Sequence, residues 1–277
     1  MTDRYAVVGN PVGHSRSPRI HTLFAVQTGQ AMDYQALLAP VDGFAATLTA
    51  FVASGGRGLN VTLPFKEQAY ALATRHSERA QAAGAANTLV CGDGEIFADN
   101  TDGAGLVRDL AVNLGYAIEG RRILLLGAGG AARGVLRPLC EARPLQLLIA
   151  NRHAERALRL AQEFSGPALG IVGCAFAELA GRRFDLVINA TSAGLGDSAL
   201  ALPGGLFAPG SLAYDMVYGR VTPFMRQARA EGAQGIADGL GMLVEQAAES
   251  FLLWRGVRPD TVPVLRQLRL DLAAEQG

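Results

Sequence analysis

Apolar positions along this chain alternate between short unbroken runs and stretches that repeat every three or four residues. Residues 123–126 form a charge-free run, Ile-Leu-Leu-Leu, the pattern of a strand buried on both faces. Comparable runs predict strands over 5–8, 32–38, 59–63, 145–150, 186–190, 212–216 and 235–237. A run from Asn87 meets Gly92-Asp93-Gly94 and then 95–99, which reads as a hairpin. Helical periodicity fills 17–27, 44–52, 105–114, 130–141, 154–164 and 222–231, with short helices after Pro64 and after Ser77. From Arg121 onward strand and helix alternate, which predicts a parallel, doubly wound sheet. Beyond Gly241 the pattern turns purely helical, over 242–254 and 261–273, and offers that sheet no further strand. These helices are expected to pack on the first domain. The prediction is an α/β chain of two domains, 1–102 completed by 240–277, with 103–239 inserted between them.

The turn after residues 123–126 carries chemistry. Gly127, Gly129 and Ala132 occupy the small positions of G-x-G-x-x-G/A, between a strand and a helix as that fingerprint requires. Gly127 permits the tight turn, Gly129 a close approach of a pyrophosphate, and Ala132 close packing of helix on sheet. The helix N-terminus adds unpaired N–H groups for the phosphates. A Rossmann-type dinucleotide domain is therefore expected. The next strand ends in Asn151-Arg152, with Arg156 one turn on, and no carboxylate stands where an NAD ribose would need one. Two guanidiniums attract a 2′-phosphate, so the pattern favours NADP.

Composition narrows the class without naming it. Of 277 residues 49% are hydrophobic and 18% charged, and the formal net charge is zero, which gives no electrostatic case for nucleic acid or an anionic membrane. No apolar run reaches the ~18 residues of a membrane span, and the N-terminus lacks a signal-peptide pattern, so a cytoplasmic protein is expected. Cys91, Cys140 and Cys174 suggest free thiols rather than disulfides, and the histidines have no metal-ligand spacing. The basic residues are lopsided: 24 are arginine, and Lys66 is the sole lysine. A lysine kept against that bias marks a position where a compact, proton-exchanging ammonium is needed and a guanidinium will not serve.

Lys66 follows a predicted strand and Pro64, so with Thr62 it sits at a strand's carboxyl end, where open α/β sheets place ligands. A nicotinamide dehydrogenase must also supply a proton to the alkoxide formed by hydride delivery. Lys66 is the best donor outside the nucleotide domain, and Asp102, in the polar cluster Asp99-Asn100-Thr101-Asp102, is its expected partner. A carboxylate beside the lysine favours the ammonium, which suits ketone reduction. Asp102 could otherwise simply cap the helix over 105–114. Upstream, Ser17-Pro18 reads as an N-cap followed by proline at the first helical position. Ser15 and Ser17 could then offer hydroxyls to an anion.

The blocks GNPVGHSRSPRIH, GLNVTLPFKE, AANTL, DNTDGAGL, LLLGAGGAARG, INATSAG, YDMVY and ADGLGMLVEQAA are similar, in order and spacing, to those of the shikimate dehydrogenase family. The resemblance spans nearly the whole chain. It implies an oxidoreductase that reduces 3-dehydroshikimate to shikimate with NADPH, in aromatic amino-acid biosynthesis. It implies Lys66 and Asp102 as the catalytic pair, and Ser15 and Ser17, with Tyr218 nearby, on the substrate carboxylate. Thr62, Asn87 and Gln246 would contact ring hydroxyls, assisted by Asn60. Gly127, Ala128, Gly129, Gly130 and Ala131 would form the pyrophosphate loop, and Asn151, Arg152 and Arg156 the clamp on the adenosine phosphate. Met216 and Gly239 would lie beside the nicotinamide, Thr191 and Ser192 would face the cofactor, and Glu78 is a peripheral candidate. The family usually has threonine after Asn-Arg, where this chain has His153, which bears on its NADP preference. Alternatives are an enzyme that also takes quinate, or a ligand sensor without turnover. The assembly is expected to be a monomer or homodimer.

Overall fold

The computed structural model describes residues 2–166, 169–191 and 199–276. The chain divides into two compact units, Met1–Gly105 with Leu243–Gly277, and Leu106–Met242.

The first unit contains β1 (Asp3–Gly9), α1 (Ser17–Thr28), β2 (Met32–Leu38), α2 (Phe44–Ala53), β3 (Gly56–Val61), α3 (Lys66–Leu72), β4 (Arg75–His76), α4 (Glu78–Ala83), β5 (Thr88–Gly92) and β6 (Glu95–Asp99). Its six strands run in the order β2-β1-β3-β5-β6-β4. Pairing is parallel among β1, β2 and β3, then antiparallel from β3 to β5 and from β5 to β6, the hairpin that Gly92-Asp93-Gly94 predicts. Ala6, Val8, Leu59 and Val61 face a core shared with Phe44, Leu48 and Phe65. On the other face Tyr5 and Tyr34 meet Trp254. The last helices, α9 (Leu240–Arg255) and α10 (Thr261–Gln276), close this unit as the hydropathy pattern anticipates. Trp254 Nε1 donates to the Leu89 carbonyl at 2.9 Å, Arg19 of α1 meets Asp271 of α10 at 3.2 Å, and Arg16 pairs with Glu275.

The second unit holds β7 (Arg122–Leu126), α6 (Gly130–Glu141), β8 (Gln146–Asn151), α7 (Ala154–Phe164), β9 (Ile171–Ala175), β10 (Phe184–Asn189), β11 (Phe207–Asp215), α8 (Pro223–Ala230) and β12 (Gly235–Asp238). Its sheet is parallel throughout, in the order β12-β11-β10-β7-β8-β9. Alternation within the apolar runs explains both faces. Ile123, Leu125, Leu186 and Ile188 enter one core with Val135 and Leu136 of α6, while Leu124, Leu126 and Val187 enter another with Phe224 and Met225 of α8. The strand order places β7 and β10 side by side, with the chain winding outward from each. Such a switch point opens a crevice beyond the strands' carboxyl ends.

Two local expectations need correction. Ser17 is not the cap of α1: Arg16 holds that position, Ser17 lies inside the helix, and its N–H donates to Ser15 Oγ at 3.3 Å. Ser15, two residues before the predicted cap, thus satisfies a helix-end donor, which frees the Ser17 hydroxyl for Tyr34. Asp102 does not cap a helix over 105–114. The helix α5 starts at Asp102 itself, ends at Arg108, and gives way to a π-helical turn over Asp109–Asn113. There the buried Asp109 accepts from Tyr214 Oη at 2.7 Å and Asn113 Nδ2 at 2.9 Å. No described helix is long and apolar enough to cross a membrane.

Candidate functional site

In the first unit the chain leaves β3 at Val61, and Thr62 N–H donates back to the Val8 carbonyl at 2.9 Å. The strand expected to run to residue 63 against Pro64 ends two residues earlier, and Lys66 opens α3, a position fixed by the Ala86 N–H on its carbonyl at 2.8 Å. Lys66 Nζ donates to Asp102 Oδ2 at 2.5 Å; the two side chains remain 27% and 14% exposed, so the pair is open to a ligand. Asp102 Oδ1 accepts from Asn87 Nδ2 at 2.8 Å. That amide can point only one way, because Asn87 Oδ1 accepts the Thr101 N–H at 2.8 Å and a backbone N–H cannot reverse its role. Gln246 joins from α9, its Oε1 accepting from Asn87 Nδ2 at 3.2 Å. Lys66, Asp102, Asn87 and Gln246 therefore form one connected group.

Behind it lies a buried polar layer that the sequence reveals only in part. Asn60 Oδ1 accepts from Tyr34 Oη at 2.7 Å and faces His21 Nε2 at 3.1 Å. Its Nδ2 donates to Ser250 Oγ at 2.9 Å and to the Asn87 carbonyl at 3.2 Å. Ser250 and Thr88 hydroxyls lie 2.7 Å apart. Asn60 is thus buried, and its bonds hold Asn87 in place. Burial lowers the His21 imidazole from its ordinary value to about 3, outweighing the hydrogen bond with Asn60 that would raise it. Burial likewise pushes the Tyr34 phenol well up against the opposing bond to Ser17. Ser250 had a legible signal: it stands one helical turn past Gln246 on the same face of α9.

A second support holds the segment before Asp102. The buried Asp99 carboxylate accepts from Arg79 Nε at 3.1 Å and from the Asn100 N–H at 2.7 Å, and also from Ser77 Oγ. Arg79 reaches Glu249 of α9 at 3.1 Å. Burial would lower the Arg79 guanidinium, but its bonds to Asp99 and Glu249 more than reverse that. Sequence reasoning missed Arg79 and singled out its neighbour Glu78. Ser77 caps α4 by accepting the Ala80 N–H at 3.0 Å, and Glu78 follows in the first turn, where an acid suits the helix dipole. Glu78 belongs to the first unit, whereas the other cofactor candidates belong to the second. Tyr218 is the reverse case, a substrate candidate carried by the second unit.

In the second unit Gly127 has φ +106°, which an L side chain rarely adopts, and a Cβ there would come within 3.2 Å of the Ala190 backbone and Thr191 Cγ2. Glycine at this turn lets the ends of β7 and β10 touch. Gly129 begins α6 with no side-chain cap, and Gly129, Gly130 and Ala131 are exposed while Ala132 is fully buried against the sheet. A Cβ at Gly129 or Gly130 would meet nothing within 4 Å. Bare N–H groups at the start of a twelve-residue helix, with open space beside them, fit a pyrophosphate. Asn151 ends β8 and its Nδ2 donates to the His153 carbonyl at 3.0 Å; Arg152, His153 and Arg156 are exposed around the start of α7. His153 occupies the N-cap position without a capping side-chain bond. Met216 is half-buried against the core, and its carbonyl would lie 2.1 Å from a Cβ on Gly239. Thr191 follows β10; Ser192 lies outside the described residues.

Comparison with known proteins agrees along the whole chain. Residues 7–89 match the shikimate dehydrogenase substrate binding domain, residues 109–195 the shikimate / quinate 5-dehydrogenase family, and residues 239–269 the shikimate 5′-dehydrogenase C-terminal domain. Shikimate dehydrogenase (NADP(+)) of Dechloromonas aromatica is 61% identical over 276 residues, covering 99% of this chain and 100% of that one. An Ael1 enzyme from Pseudomonas putida superposes with a TM-score of 0.91 at 50% identity, covering 96% of this chain and 98% of its own. Shikimate 5-dehydrogenase of Thermus thermophilus, solved in complex with NADP(H) and shikimate, gives a TM-score of 0.86 at 37% identity, with 97% and 99% coverage. With motifs, topology and full-length relatives in agreement, this chain belongs to the shikimate dehydrogenase family.

Proposed function

We propose that this chain catalyses the reversible, NADPH-dependent reduction of 3-dehydroshikimate to shikimate. The observation that carries the reading is the Lys66–Asp102 pair, 2.5 Å apart, partly open, and oriented by Asn87. NADPH supplies the hydride to the carbonyl carbon. The Lys66 ammonium donates the proton to the carbonyl oxygen, and Asp102 keeps that ammonium charged and aimed. Ser15 and Ser17, with Tyr218, take the carboxylate; Thr62, Asn87 and Gln246 take ring hydroxyls, with Asn60 behind them.

The first unit is the substrate-binding domain in this reading, and the second binds NADP. Gly127, Ala128, Gly129, Gly130 and Ala131 hold the pyrophosphate, and Asn151, Arg152 and Arg156 the 2′-phosphate. Met216 and Gly239 border the nicotinamide, Thr191 faces the cofactor, and Glu78 is peripheral. Support comes from relatives named for NADP(+) and from the Thermus thermophilus enzyme solved with NADP(H) and shikimate. The protein acts in the cytoplasm, where a biosynthetic reduction draws on the NADPH pool, as a monomer or homodimer.

The test is NADPH consumption with 3-dehydroshikimate, and NADP reduction with shikimate and with quinate. Turnover with shikimate well above that with quinate is expected. No turnover with either substrate would overturn the reading.

A further inference from the structure

We propose that Asp215 is a positioning residue for the cofactor side of the site, its buried carboxylate locking Ala190 and Thr191, which follow β10, to the segment 216–222. The inference rests on the reading that Thr191 and Met216 border the cofactor. Asp215 ends β11 and is fully buried. The hydrogen bonds described to it come from neutral donors. Val217 N–H donates to Oδ1 at 3.0 Å, and Asn189 Nδ2 and Thr222 Oγ1 donate to Oδ2 at 3.1 and 2.6 Å.

Asn189 and Thr222 pass the constraint on. Asn189 Oδ1 accepts both the N–H and the hydroxyl of Thr191, at 3.1 and 2.7 Å, while the Asn189 carbonyl accepts the Met216 N–H at 3.0 Å. Thr222 Oγ1 accepts the Met225 N–H at 3.2 Å and so caps α8. The Asn189 amide cannot flip, because one side meets a backbone N–H and the other a group that accepts. Burying a carboxylate is unfavourable unless its hydrogen bonds are complete. Thr222 alone would cap α8, so the acid is not needed there. What it adds is a bond network joining the ends of β10 and β11, beside the Gly127 turn that touches Ala190 and Thr191. Fixed strand ends present the cofactor with a preformed surface, so less ordering remains to be done on binding.

The experiment uses the full-length protein. Asp215→Asn sets an amide against the Asn189 and Thr222 donors, and Asn189→Asp sets two carboxylates together. The double exchange N189D/D215N restores donor to acceptor and still leaves an oxygen for Thr191. Each single change is expected to weaken NADPH binding at least about tenfold, read from nucleotide fluorescence, and to speed amide exchange at Thr191 and Val217 in nucleotide-free protein. The KM for shikimate should move less than about threefold, and the double exchange should recover most of the loss. Folded single variants with unchanged NADPH affinity and exchange would overturn the proposal, as would a folded double variant no better than either single. Where Asp215→Asn fails to fold, Asn189→Ala is measured in the same two ways. Weaker NADPH binding with faster exchange then supports the link, and no change in either overturns it. Amide exchange tests the link even if the parent chain binds no NADPH, an outcome that would sink the functional reading instead.

Discussion

Lys66 carries the reaction's proton in this reading, so replacing it separates chemistry from binding. Lys66→Ala should lower turnover at least about 100-fold while substrate affinity changes far less, measured by steady-state rates beside equilibrium titration. In the same reading Arg152 acts on the cofactor alone. Arg152→Ala should weaken NADPH much more than NADH, and equal losses for the two would remove the phosphate assignment. His21 bears on stability instead. Burial holds its imidazole near 3 against an ordinary 6.5, so the unfolded chain binds a proton that the folded chain refuses between those values. Its contribution is intact above about pH 6.5 and declines as pH falls toward 3, by up to about 1.4 kcal/mol per pH unit. Urea unfolding at pH 7 and pH 5 should therefore differ by up to about 2 kcal/mol more in the parent than in His21→Gln.

Elements differ in how openly the sequence declares them. The four-residue run of β7 is legible because each residue feeds one of two cores, so no polar position interrupts it. β9 (Ile171–Ala175) is not, because Gly173 looks like a break. It is in fact where the strand packs tightly on α7, since a Cβ would lie 2.4 Å from the Ala157 carbonyl. Gly173→Ala should therefore force helix from strand and cost on the order of 1–3 kcal/mol, seen as a lower melting temperature. The first half of β11 is hidden for a similar reason: Gly210 has φ +78° and the pairing with β10 shifts register nearby. The π-helical turn after α5 is bonded through Asp109 to the Tyr214 hydroxyl, about a hundred residues away, which no local pattern could announce. The site follows the same rule. Lys66 stands out by composition and Asp102 by its polar cluster, but Thr88, Ser250 and Arg79 act through partners brought by folding.

The whole molecule is built from one unit continuous in sequence and one that is not. A fragment of residues 106–242 contains the full parallel sheet and both its cores, and should unfold cooperatively by circular dichroism when made alone. A chain ending before Leu243 should not keep an intact first unit. It would strip Ser250 from Asn60 and Thr88, and Gln246 from Asn87, leaving buried polar groups unpaired at roughly 1–3 kcal/mol each. It would also remove Trp254 from the Leu89 carbonyl. This arrangement sets a timetable for synthesis. Residues 1–105 leave the ribosome before the helices that complete their unit and must wait for them, while residues 106–242 can finish folding in between. The nascent strands of this unit, with their apolar faces uncovered until α9 and α10 emerge, are where a chaperone would find its longest opportunity to bind.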